Sequence, residues 1–163
     1  MNDVYLLTGG NIGDRLAYLQ KAYELIETRA GTVIRKSRIY ETAAWGVTNQ
    51  QAFLNQVLCI ETGLEPEKLL ETLLAIEIQL GRRRTEKMGP RVIDIDILFY
   101  GSRILSLPQL TVPHPRIAER RFVLTPLNEI APDYVHPVFK KSVKELLEEC
   151  KDDLAVNVYT GTI

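Results

Sequence analysis

The chain has 163 residues, enough for one ordinary domain with its own core. Hydrophobic residues make up 45% and charged residues 25%, which places it among globular proteins and excludes a disordered chain. A formal net charge of -1 argues against a general nucleic-acid binder, and no apolar run approaches the roughly 20 residues a membrane helix needs.

The opening Met1-Asn2-Asp3-Val4-Tyr5 has neither a basic nor a long apolar leader, so no signal peptide is read. Cys59 and Cys150 stand far apart, in no C-x-x-C spacing, and fit buried or idle thiols in a reducing cytosol. Val4 to Thr8 predicts a short strand, followed by Gly9-Gly10-Asn11-Ile12-Gly13-Asp14. These glycines lack both the G-x-G-x-x-G and the P-loop endings, so a tight turn with Asp14 as helix N-cap is expected. Leu16, Leu19, Tyr23 and Ile26 form one stripe of a helix from about Arg15 to Arg29, stopped by Gly31.

Thr32 to Thr42 is rich in β-branched residues and predicts one strand; 43–50, with the only Trp, Trp45, predicts a loop. A strand over about Ala52 to Thr62 puts Phe53, Asn55 and Val57 on one face and Leu54, Leu58 and Ile60 on the other. Phe53 beside Asn55 pairs a flat apolar surface with an amide: a ring could stack on one and be read by the other, or both could belong to the core. Pro66 opens a second helix, with Leu69, Leu70, Leu73, Ile76 and Leu80 inward and Gly81 closing it.

The stretch from Arg82 to Tyr100 shows the chemistry. Residues 82–91 form a cationic loop with Gly-Pro punctuation, and Val92 to Tyr100 predicts a buried strand carrying two carboxylates. Ile93, Ile95 and Ile97 share one face, Asp94 and Asp96 the other, with the two Asp residues roughly 6.6 Å apart along the strand. Such a pair can hold one hard cation, or two ions about 3.5–4 Å apart. It can equally form salt bridges with Arg82 or Arg91 on a solvated edge. The nearby cations make Mg²⁺ with a polyphosphate the natural ligand of the first reading.

Leu107 to Leu127 predicts irregular structure, fixed in extended form by Thr111-Val112-Pro113-His114-Pro115. Arg116, Arg120 and Arg121 add a second cluster of positive charge before Phe122. Ser142-Val143-Lys144-Glu145 is a capping box that starts a last helix through about Cys150, and Leu154 to Tyr159 predicts an edge strand. The order strand, helix, strand, strand, helix, strand is that of an α+β, ferredoxin-like β-α-β-β-α-β two-layer sandwich with a C-terminal extension.

Five stretches in this order and spacing resemble the 6-hydroxymethyl-7,8-dihydropterin pyrophosphokinase family of folate biosynthesis. They are Leu7 to Asp14, Phe53-Leu54-Asn55, Gly89 to Ile97, Leu110 to Pro115 and Arg120-Arg121-Phe122. The resemblance implies a single pyrophosphokinase domain over 1–163: a monomeric cytoplasmic enzyme that transfers diphosphate from ATP to the pterin hydroxymethyl group and releases AMP. It implies no nucleic-acid or membrane partner. It further implies two Mg²⁺ on Asp94 and Asp96, with Arg82 and Arg91 joining them as catalytic residues. ATP contacts would come from Glu77, Arg82, Arg84, Arg91, Thr111, His114 and Arg120. The pterin would lie between Phe53 and Phe122, read by Asn55, with Thr42, Ala44, Trp45 and Asp94 completing its pocket.

The chain departs from family patterns in places. Met88 stands where some relatives carry Trp, in a loop one residue shorter. Ala43-Ala44 replaces a frequent Pro-Pro, Gly10 a frequent Ser, and Gln109 falls where some members are basic. Two other classes are alternatives, the first of which shares the strand order. An RNA-binding module would show salt-sensitive binding without ATP consumption, though the RNP1 pattern is missing. A regulatory ligand domain would bind nucleotide without metal and form no AMP.

Overall fold

In the computed structural model, residues 1–43, 51–81 and 92–161 are described. The first half of the chain contributes β1 (Asn2–Gly10), α1 (Arg15–Arg29), β2 (Thr32–Lys36), β3 (Tyr40–Thr42), β4 (Phe53–Thr62) and α2 (Pro66–Gln79). The second half adds β5 (Asp94–Tyr100), β6 (Leu105–Ser106), β7 (Thr111–Val112), α3 (Arg121–Ile130), α4 (Val143–Glu149) and β8 (Val156–Val158). The main sheet has the order β5-β1-β4-β3-β8, with β2 also on β4, and every pairing is antiparallel.

The alternation read from the sequence decides which side of the sheet each residue faces. Val4, Leu6, Leu54, Leu58, Ile60, Ile93, Ile95 and Ile97 form one apolar face. Leu19, Ala22 and Ile26 of α1 and Leu69, Leu73 and Ile76 of α2 bury it. Both helices keep the expected bounds: Asp14 Oδ1 accepts from Ala17 N at 3.1 Å, and Gly81 follows α2 at φ 101°.

Three expectations are corrected. The segment from Thr32 to Thr42 is two strands, because Ser37 interrupts the ladder: its Oγ accepts from Val57 N at 3.0 Å while Gln56 Nε2 donates to its carbonyl at 2.8 Å. The end of the stretch predicted to be irregular is helical from Arg121, with Pro126 inside α3. Burial of Val123, Leu124, Pro126 and Leu127 outweighs the cost of a proline inside the helix.

Nor does the C-terminal third leave a two-layer sandwich. α3 and α4 cover Tyr5, Leu7, Val57, Cys59, Leu98 and Phe99 on the second face, making three layers. The face that an RNA-binding sheet would leave open is therefore largely occupied. The Ser142–Glu145 capping box is formed on both sides, at 3.1 and 3.0 Å, and β8 pairs with the edge of β3.

Candidate active site

Paired residues in antiparallel strands place their side chains on the same side of the sheet, so the register locates the predicted site residues. Asp94 pairs with Gly9, Gly9 with Asn55, and Asn55 with Tyr40, a single row across four strands. The next row holds Asp96, Leu7 and Val57, and on the other side Thr42 pairs with Phe53. Asp94, Asp96, Asn55, Phe53 and Thr42 therefore share one face and one end of the sheet. It is the face on which α3 lies, and α3 brings Phe122 onto it in its first turn.

The middle of the row is a close approach at glycine. A Cβ at Gly9 would stand 2.1 Å from Asn55 Oδ1, so the amide lies across bare backbone between β4 and β5. Asn55 itself is buried. At the β3 end, Thr42 is 3% exposed and its Oγ1 has no hydrogen-bond partner among the described residues. A buried hydroxyl without a partner is costly, and its place beside Phe53 marks where a polar ligand atom could satisfy it.

Two carboxylates that the sequence did not single out for these tasks set the frame. Glu77, buried on α2, accepts from Ile95 N at 2.6 Å, between the two aspartates on the outer edge of β5. Its Oε2 thus holds the strand that carries both acids, beside the nucleotide contact that the resemblance implies. Glu129 of α3 accepts from Tyr40 OH at 2.6 Å and from Arg38 N at 3.1 Å, fastening α3 to β3.

The segment after β7 adds the remaining groups. His114 N donates to Leu98 O at 2.9 Å, which lays this stretch along β5, while Thr111 is exposed in β7. The Arg120 guanidinium lies 5.5 Å from the centroid of the Phe122 ring. Its neighbours do other work. Arg116 pairs with Glu119 at 3.4 Å, and Arg121 donates to the carbonyls of Asp152 and Cys150 at 2.7 and 3.0 Å. Within the cluster at 116–121, Arg120 thus lies against Phe122, Arg121 ties the chain at Cys150 and Asp152, and Arg116 makes an exposed ion pair. Ala44, Trp45, Arg82, Arg84 and Arg91 lie outside the described residues.

Burial, then the charges of Arg120 and Arg116, push the His114 imidazole down to about 4. Burial lowers that of His136 as well. The unfolded chain therefore binds more protons than the folded one at mildly acidic pH, and stability falls as pH drops from about 6.5 toward about 4. His114 alone should remove roughly 1 kcal/mol between about pH 7.5 and about pH 5.5. Urea unfolding at the two pH values checks this: His114→Gln should flatten the dependence, and an unaltered slope in the variant would refute the assignment.

A sequence model described as "7,8-dihydro-6-hydroxymethylpterin-pyrophosphokinase (HPPK)" matches residues 5–132. The chain belongs to this family. Relatives named 2-amino-4-hydroxy-6-hydroxymethyldihydropteridine pyrophosphokinase include one from Aquifex aeolicus, 43% identical over 149 residues, covering 91% of this chain and 92% of the relative. Another, from Bacillus subtilis, is 47% identical over 132 residues, covering 80% and 79%. Among solved structures, a wild-type Plasmodium falciparum chain described as HPPK-DHPS superposes with a TM-score of 0.73 at 18% identity, covering 91% of this pyrophosphokinase and 44% of that chain. A second HPPK-DHPS, described as in complex with substrates, gives 0.73 at 19% identity, covering 90% and 43%. The present chain spans less than half the length of those structures, whose likeness establishes the fold alone. It combines an antiparallel sheet with helices, and no helix among the described residues is long and apolar enough to cross a membrane.

Proposed function

We infer that this chain carries out its family's reaction at the sheet end described above. Diphosphate passes from ATP to the hydroxymethyl group of 6-hydroxymethyl-7,8-dihydropterin, giving the pterin diphosphate and AMP in folate biosynthesis. The observation that carries the placement is the convergence of Asp94, Asp96, Asn55, Phe53, Thr42 and Phe122 on one face.

Phe53 and Phe122 stack the pterin, Asn55 reads its edge, and Thr42 Oγ1 gains the partner it lacks. Ala44, Trp45 and Asp94 complete that pocket. On the β5 side, Glu77, Arg82, Arg84, Arg91, Thr111, His114 and Arg120 hold ATP, and Glu77 also keeps the strand beneath them in register. Arg82 and Arg91 act on the charge that builds up as AMP departs.

The donor set fits Mg²⁺. Asp94 and Asp96 offer hard oxygens from neighbouring positions of one strand face, and both are half-buried. Among the described residues no group of three or more His, Cys, Asp or Glu gathers. The two acids would therefore share the ions with water and phosphate oxygens, a set Mg²⁺ favours. Two bound ions would neutralise the triphosphate and polarise the β-phosphoryl group.

In the transfer, the pterin hydroxymethyl oxygen bonds to the β-phosphorus. The bond from that phosphorus to the α,β-bridging oxygen breaks, AMP keeps the electron pair, and the hydroxyl proton passes to solvent. Phosphoryl transfer asks mainly for positioning and charge neutralisation, which this arrangement of side chains supplies. We read the core from β1 to β5 as ferredoxin-like, the whole of 1–163 as one domain, and the protein as a cytoplasmic monomer. Incubation with ATP, Mg²⁺ and the hydroxymethyl-dihydropterin should release AMP in step with pterin diphosphate. ATP consumption without pterin diphosphate, or turnover undiminished by EDTA, would count against this reading.

A further inference from the structure

α1 begins beneath the β3–β4 end of the sheet, on the side opposite the proposed pocket. There the Arg15 guanidinium, its side chain 15% exposed, donates through Nη1 to Glu41 Oε2 at 2.9 Å and to the Ala52 carbonyl at 2.9 Å. It also lies 5.6 Å from the centroid of the Tyr159 ring, just beyond β8. Glu41 precedes Thr42 in the chain and faces the other way, pairing with Leu54; Ala52 is joined by its carbonyl to Phe53. One guanidinium thus fastens the underside of the Thr42–Phe53 pair.

Helix energetics do not explain this residue. A cation in the first turn of a helix faces the positive end of the dipole and is mildly unfavourable there. Its compensation is tertiary: a charge-assisted bond to Glu41 and another to a carbonyl that precedes the first ladder pair of β4. Both anchors lie on the stems that flank 44–50, and neither belongs to the groups assigned to ATP.

We propose that Arg15 is a positioning residue for the pterin. Without touching substrate, it sets the spacing of Thr42 and Phe53 across β3 and β4, and with it the affinity for the ring. The inference rests on the pterin placement given under Proposed function.

Steady-state kinetics of Arg15→Ala, Arg15→Lys, Glu41→Gln and Phe53→Ala, with melting temperatures, test it. Arg15→Ala should raise KM for the pterin roughly tenfold and KM for ATP less than about twofold. Arg15→Lys should recover part of the loss, since an ammonium lacks the planar fork, and Glu41→Gln should show the same selectivity more weakly. If Arg15→Ala does not fold, the other two variants carry the same readout. A lowered melting temperature with unchanged KM values, or equal shifts in both, would overturn the proposal. A pterin-selective Phe53→Ala beside an unselective Arg15→Ala removes the Arg15 role alone. An unselective Phe53→Ala removes the pterin placement, and this inference with it.

Discussion

Asp94→Asn and Asp96→Asn should each fold and lose about 10²- to 10³-fold in kcat/KM, the scale of removing one preorganised electrostatic contact from a transition state. The substitution keeps volume, exchanges one acceptor oxygen for an amide donor and removes the charge. Both side chains are half-buried, and both stand on a strand whose opposite face, Ile93, Ile95 and Ile97, is buried in the core. Two like charges roughly 6.6 Å apart repel by about 0.6–2.5 kcal/mol, depending on local screening, and neutralising one removes that repulsion. Melting temperatures of both variants should therefore stay within a few degrees of the parent. Mg²⁺ with a nonhydrolysable ATP analogue should raise the parent's melting temperature and do much less for either variant. Full turnover in both variants would end the metal assignment, and unfolding of both would make these acids structural.

The sheet face that gathers these residues was legible because it is written in a period of two. The alternation at Phe53-Leu54-Asn55 and Ile93-Asp94-Ile95-Asp96 is local, and placing residues on faces needs nothing beyond strand geometry. The capping box at Ser142 was legible for the same reason. What escaped depends on partners distant in sequence. Glu77 meets Ile95 N from another element, and Arg15 meets Glu41 and Ala52 from a helix start. The close approach at Gly9 exists because β1 pairs with β4 opposite Asn55. Arg120 and Arg121 are adjacent and chemically identical, yet one lies over Phe122 while the other ties down the chain at Cys150 and Asp152. α3 was missed because local propensity, with Pro126 in its middle, gave way to burial against the second face.

Phe53→Ala should weaken binding of the pterin roughly 10- to 100-fold, the loss expected when a ring that buries a ligand face is removed, about 1.5–3 kcal/mol. ATP binding should move less than about threefold, and geometry supplies the reason. Phe53 belongs to β4, and β1 separates β4 from the β5 acids. Two interstrand spacings put roughly 9.6 Å between Phe53 and the strand proposed to face the phosphates. The side chain is only half-buried, so its truncation leaves no large cavity and costs little stability. Titration calorimetry with each substrate alone separates the two affinities. Phe53→Leu, which keeps apolar area without a π face, should retain part of the pterin affinity. Equal weakening of both substrates would mean that Phe53 supports the sheet end as a whole and that the ring is held elsewhere.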